Sequence, residues 1–321
     1  MMYNRLLLIA LIFAGCSKKP QGEPNQGWGK QPYLIPISGQ VTLNVAANES
    51  FVNVMGDAKP ALPNFPSLEA KKGFLRGYVA DMTGKPLEGA YIGIRATVGT
   101  TNGAHAVSNA NGYYEISLPY GAITYYAAGY EKDYGQGKAV MGLFPADDNT
   151  TSFASENGQV KNFVLQSYGL AKKSEVAAQP SNSTNYYGGA ISFDYNIDWD
   201  GNIPEYLPKN GTIEVTLTPD GPGIFGENRT FVIKKNIGIA ALTALNIPVG
   251  KYAISAKLAD GTVLKMQETG TYAGSFPFWG LKPSGPTATA TVMFTPIFQY
   301  TTQMAVAHKS NWQSLNIKLS R

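Results

Sequence analysis

Two glycine-centred turns constrain what this chain can fold into more than any other feature. The first lies between Gly77 and Ala90, where Asp81 is followed by Gly84, Lys85 and Pro86. Gly84 can adopt φ > 0 and Pro86 fixes its own φ at about −65°, so the backbone reverses there. Before the turn, Leu75, Gly77 and Val79 share one face of a strand. After it, Ala90, Ile92 and Ile94 share one face of the next. The second turn is Asn111-Gly112, a hairpin signal, and the alternating Tyr114, Ile116 and Leu118 follow it. Pro119-Tyr120-Gly121 and Ala128-Gly129-Tyr130 come next.

This order resembles the carboxypeptidase regulatory-like domain, a small transthyretin-like β-sandwich. The family pattern is Gly-x-Val-x-Asp-x-x-Gly-x-Pro-Leu-x-Gly-Ala, then Asn-Gly-x-Tyr/Phe-x-Ile/Leu, then Pro-x-Gly and Ala-x-Gly-Tyr. The resemblance covers residues 73–167 and implies a sandwich there, closed by Phe163 and Leu165. It implies little about function, because such sandwiches serve many roles.

The rest of the chain reads the same way. Only 15% of its 321 residues are charged, while Gly numbers 35 and Pro 20, a composition suited to many strands and turns. Alternation recurs at Ile191–Ile197, Ile213–Leu217, Tyr252–Leu258, Ala288–Phe294 and Leu315–Leu319. Ile247-Pro-Val-Gly250 repeats the apolar-Pro-x-Gly corner of residues 118–121. The expected fold class is all-β, with tandem Ig-like or transthyretin-like β-sandwiches at 73–167 and 190–321. Residues 168–189 are expected to link them, and residues 37–72 to form a linker and a β-hairpin that either adds strands to the sandwich or stands as a small piece of its own. Residues 130–158 read as a long loop insertion, and 237–246 as a short helical crossover, a strand or a loop.

The chain opens with Arg5, the apolar run Leu6–Phe13 and Ala14-Gly15-Cys16. Residues 1–15 read as a secretory signal, too short to span a bilayer as a stable helix. Ala14-Gly15-Cys16 resembles the lipobox of bacterial lipoproteins, with Phe13 where that family prefers Leu. The resemblance implies cleavage before Cys16 and lipid attachment to it, palmitate included. Several acyl chains together anchor a protein stably. Cys16 is the one cysteine in the chain, so no intrachain disulfide forms. No Asp follows it, which favours the outer membrane and leaves the leaflet open. Residues 16–36, broken by Pro20, Pro24, Pro32 and Pro36, are expected to be a tether.

No catalytic constellation is found. A zinc site takes three protein ligands, whereas His105 and His308 are the only histidines and fall in different predicted sandwiches. No Gly-x-Ser-x-Gly elbow or Walker loop occurs. Carboxylates close in sequence, Asp194, Asp198, Asp200 and Glu205, are the only material for glycosidase chemistry, and acidic turns are common in sandwiches. A net charge of +4 without a dense basic run argues against nucleic-acid binding. No cofactor is expected, with one reservation: Asp198, Asp200 and Asn202 resemble part of a Ca²⁺ loop, and they serve equally as turn residues bonding local amides. Trp199, Tyr206, Phe278 and Trp279 are the candidate ligand-binding aromatics; otherwise they cap the sandwich core. The expected function is therefore a non-enzymatic outer-membrane lipoprotein that binds or scaffolds an envelope partner. A carbohydrate-capture module and a structural adhesin or assembly subunit using an edge strand in 37–56 are the alternatives.

Overall fold

The computed structural model describes residues 27–56, 58–97, 103–239 and 241–321. The signal segment 1–15, Cys16 and the first half of the tether lie outside the described residues. The described residues are all-β in fold: two β-sandwiches, with one short helix at Lys173–Ala178 and a few 3₁₀ turns among them.

The first sandwich is built on the two turns. Asp81 Oδ1 accepts the amides of Thr83 (2.8 Å) and Lys85 (3.1 Å), so the carboxylate shapes the turn. Gly112, with φ 73°, lies against the chain before that turn: a Cβ there would sit 2.4 Å from the carbonyl oxygen of Val79. One sheet centres on Phe74–Asp81, antiparallel to Tyr113–Ser117 and parallel to Phe163–Leu165. The facing sheet places Tyr91–Ala96 between Gly103–Val107 and Ala122–Tyr134. Leu75, Val79, Ile92, Ile94, Tyr114, Ile116 and Phe163 are buried between them.

The expected long loop is mostly strand. Ala122–Tyr134 runs for 13 residues and pairs with Gly137–Gly142. Ala139 to Gly142 are all buried, so the period-2 alternation that marks a half-exposed strand is missing. Of the alternatives open for 237–246 the strand is realised, Ala241–Ile247, buried against Gly189–Tyr195.

The second sandwich departs most from expectation. Its two sheets run through residues 189–320, but each takes a strand from the N-terminal arm. Ser38–Val45 lies parallel to Asn228–Asn236, and Phe51–Asn53 lies parallel to Ala241–Ile247. These strands do not pair with one another, so residues 37–72 contain no hairpin. The link between them is held by Lys235, a fully buried side chain whose ammonium donates to the carbonyls of Ala46 (2.6 Å), Ala47 (3.0 Å) and Glu49 (2.6 Å). The first sandwich is thus inserted between two parts of the second. The described half of the tether is docked as well: Trp28 lies 5.5 Å from the rings of both Phe65 and Tyr78, and its indole N–H donates to the carbonyl of Asn111.

The sandwiches share one continuous apolar core. Tyr134, at the tip of the long strand, faces Trp312 at 5.3 Å. Around it Asn311 Nδ2 donates to the carbonyl of Val140 (2.7 Å), the amide of Val249 to Ser167 (3.0 Å) and the amide of Ala128 to Ala305 (2.8 Å). A seam with paired polar groups and continuous apolar contact behaves as interior, which stiffens the whole.

Candidate functional site

The sequence singled out one turn and one aromatic loop, and the structure keeps them apart. Asp198 closes its own turn. Its Oδ1 accepts the amides of Gly201 (2.8 Å) and Asn202 (3.0 Å), and its Oδ2 accepts that of Ile203 (3.1 Å). Burial pushes this carboxyl's pKa upward, but the amide hydrogen bonds from Ile203, Asn202 and Gly201 outweigh it and leave the pKa lowered. A Ca²⁺ ion would have to compete with those amides for the carboxylate. Among the described residues no three His, Cys, Asp or Glu side chains cluster closely enough to hold a metal. Trp199 is 57% exposed and borders an open groove with Asp200, Lys209, Asn210 and Arg321. Tyr206 is half-buried and does not line it.

Trp279 is a correction to the expected rim: it is buried, 6% exposed, against Phe278 (4.9 Å, edge-on) and Phe276 (5.7 Å). Phe278 presses on the hairpin of the first sandwich, where a Cβ on Gly137 would come within 2.8 Å of its ring. These rings seal the join between the sandwiches. Adjacency in sequence with Pro277 and Gly280 suggested an exposed loop; the inserted sandwich covers it.

A further concave site is one that sequence reasoning missed. It is a groove of about 580 Å³ on the second sandwich. Thr269 and Asn316 stand opposite each other across the strand pair Lys265–Thr269 and Leu315–Ser320. Trp312 and Leu315 are buried beneath it, and Phe298, Gln313 and Tyr272 complete the walls. Tyr272 is 54% exposed and rests on Phe276 at 6.3 Å, which in turn rests on Trp279. The side chains of Gln313 and Asn316 have no hydrogen-bond partner among the described residues. Among the described residues no Lys or Arg lines the groove, and its one acidic residue is Glu268. Glu268 Oε2 accepts the amides of Leu281 (3.2 Å) and Gly274 (3.4 Å). No spacing signal marks this site, because its parts come from four separated segments of the chain.

Fold and groove together define a two-sandwich β-protein with a polar cleft lined by one carboxylate and, among the described residues, no basic side chain. No family model matches the chain, and no curated protein matches it. Among solved structures it is similar to the Bacillus anthracis TIE protein, with 19% identity and a TM-score of 0.24, covering 59% of this chain and 29% of that one. It is also similar to a streptococcal ancillary pilin, with 10% identity and a TM-score of 0.21 over 76% of this chain and 62% of that one. A variant of the major pilin from Streptococcus pyogenes shows 9% identity and a TM-score of 0.22 over 78% of this chain and 98% of that one. The chain thus spans less than a third of the first of these proteins.

Proposed function

We propose that this chain is a non-enzymatic cell-envelope lipoprotein, held at the outer membrane by lipid on Cys16, that acts as a rigid binding or scaffolding module. One observation carries the reading. The arm that follows the anchor contributes a strand to each sheet of the second sandwich, so load at the N-terminus passes directly into the folded body. A chain built to display a surface at fixed orientation benefits from that continuity. Among the described residues no helix is long and apolar enough to cross a membrane. The test is metabolic labelling with an alkyne palmitate analogue followed by membrane fractionation. Wild type should carry label in the outer-membrane fraction, and Cys16→Ala should lose both label and membrane association. An unlabelled wild-type chain overturns the anchoring. Protease shaving of intact cells then reports the leaflet.

A second reading rests on the strand Ser38–Val45. It is an eight-residue sheet edge with no charged residue and no proline, and its outer side has no strand partner among the described residues. Edges of that kind are normally protected, and an unprotected one suits strand addition in a surface assembly. Crosslinking in whole cells, with and without Thr42→Lys, tests it. Loss of crosslinked species in the variant supports an assembly subunit, and unchanged species argue against this edge.

A further inference from the structure

We propose that the groove over Trp312 is a binding site for neutral carbohydrate. The inference rests on reading the chain as a binding module, and it names the ligand class and the residues. Three features of the groove converge on that class. First, its free polar groups are neutral and two-sided. The amides of Gln313 and Asn316 each offer donors and an acceptor, and Thr269 adds a hydroxyl. Sugar hydroxyls also donate and accept, so each can be matched without burying a charge. Second, Tyr272 presents an aromatic ring at the rim, and that ring is already braced through Phe276 to the buried Trp279. A pre-positioned ring supplies apolar area for sugar C–H faces at little entropic cost. Third, the site lacks what other ligands need. Without Lys or Arg it has no counter-charge for a phosphate or a uronic acid. Strand addition by a peptide is blocked, because the outer edge of Lys265–Thr269 is already closed. There the amide of Met266 donates to Thr287 (2.7 Å) and that of Glu268 to Ser284 (2.9 Å).

The groove differs in this from the open cleft beside Trp199, where Asp200, Lys209 and Arg321 bring charge of both signs. A neutral glycan is therefore expected at Tyr272 and Gln313, and Trp199 is expected to be silent.

The experiment uses residues 17–321, which contain every residue of the folded body and need no lipid. Malto-, cello-, xylo- and manno-hexaose are titrated up to millimolar concentration, with hexagalacturonate as the anionic counter-probe, and binding is read by calorimetry and intrinsic fluorescence. Saturable binding of at least one neutral hexaose is expected. Tyr272→Ala and Gln313→Ala should each weaken it by about tenfold, equivalent to about 1.4 kcal/mol, and Trp199→Ala should leave it unchanged. Both groove residues are at least partly exposed, so their variants should melt like wild type, which circular dichroism checks. Three results overturn the proposal: no neutral hexaose binds, hexagalacturonate is preferred, or binding survives both groove variants and falls with Trp199→Ala. An unlabelled Cys16 would remove the anchor and leave this binding intact, so the two readings fail separately.

Discussion

The hydroxyl of Tyr134, from the first sandwich, accepts the backbone N–H of Phe294, from the second, at 2.9 Å. It also donates to the carbonyl of Gly250 at 3.3 Å. One buried side chain of the inserted sandwich therefore completes the backbone hydrogen bonding of its host. Tyr134→Phe keeps the ring against Trp312 and strands the Phe294 N–H in a dry seam. The expected loss is about 1–3 kcal/mol. It should show as a lower urea midpoint with an unchanged slope. A biphasic transition would instead mean that the seam, once weakened, lets the sandwiches unfold separately.

The insertion topology makes a sharper prediction about truncation. Residues 190–321 look self-sufficient in the sequence, yet on their own they lack one strand of each sheet and the three carbonyl acceptors of the Lys235 ammonium. Unpaired sheet edges invite aggregation. That fragment is expected to aggregate or stay unfolded. A cooperative, soluble 190–321 fragment would show that the N-terminal strands are ornamental.

Gly77 is required for space and not for its backbone angle. A Cβ at this position would lie 1.7 Å from the carbonyl oxygen of Lys161, a backbone atom that cannot rotate away. Gly77→Ala should cost about 3 kcal/mol, the upper end for overpacking, by forcing two strands apart. Gly285→Ala, where a Cβ meets nothing within 4 Å, is the matched control and should be near neutral.

His308 makes stability depend on pH. It is buried with Nδ1 3.0 Å from Thr150 Oγ1 and Nε2 3.7 Å from Asp148 Oδ1. Burial pushes its pKa down to about 4, and this outweighs the opposing pull of Asp148. The unfolded chain, with an ordinary value of about 6.5, binds the proton more readily between those limits. Stability is therefore full above about pH 6.5 and falls as pH drops toward 4, by up to about 3 kcal/mol. Denaturant titrations at pH 7.5 and 4.5 should show the loss. His308→Asn tolerates the positive φ of 65° at this position and should flatten the dependence. An equally steep dependence in His308→Asn would assign the effect to carboxylates.

Much of the architecture was legible where the deciding chemistry is local. The turns at Gly84 and Gly112 were readable because Asp81, Pro86 and Asn111 act within a few residues of themselves. Strands with one wet face, such as Lys251–Leu258, showed their alternation directly. Strands covered on both faces, such as Gly137–Gly142 and Ala241–Ile247, did not. Of the candidate site residues, Trp199 lies exposed at the surface, whereas Trp279 is core.

By itself the sequence determined an all-β chain, its turns and most of its strand faces, because those depend on residue type and period. Only the tertiary structure decided that Ser38–Val45 pairs with Asn228–Asn236 across an entire inserted sandwich. Strand edges offer the same donors and acceptors to any partner, so pairing is selected by which faces can be buried together. The groove follows from the same selection. Tyr272, Trp312 and Asn316 carry no shared motif, and they meet because the seam fixes Trp312 and register places Thr269 opposite Asn316.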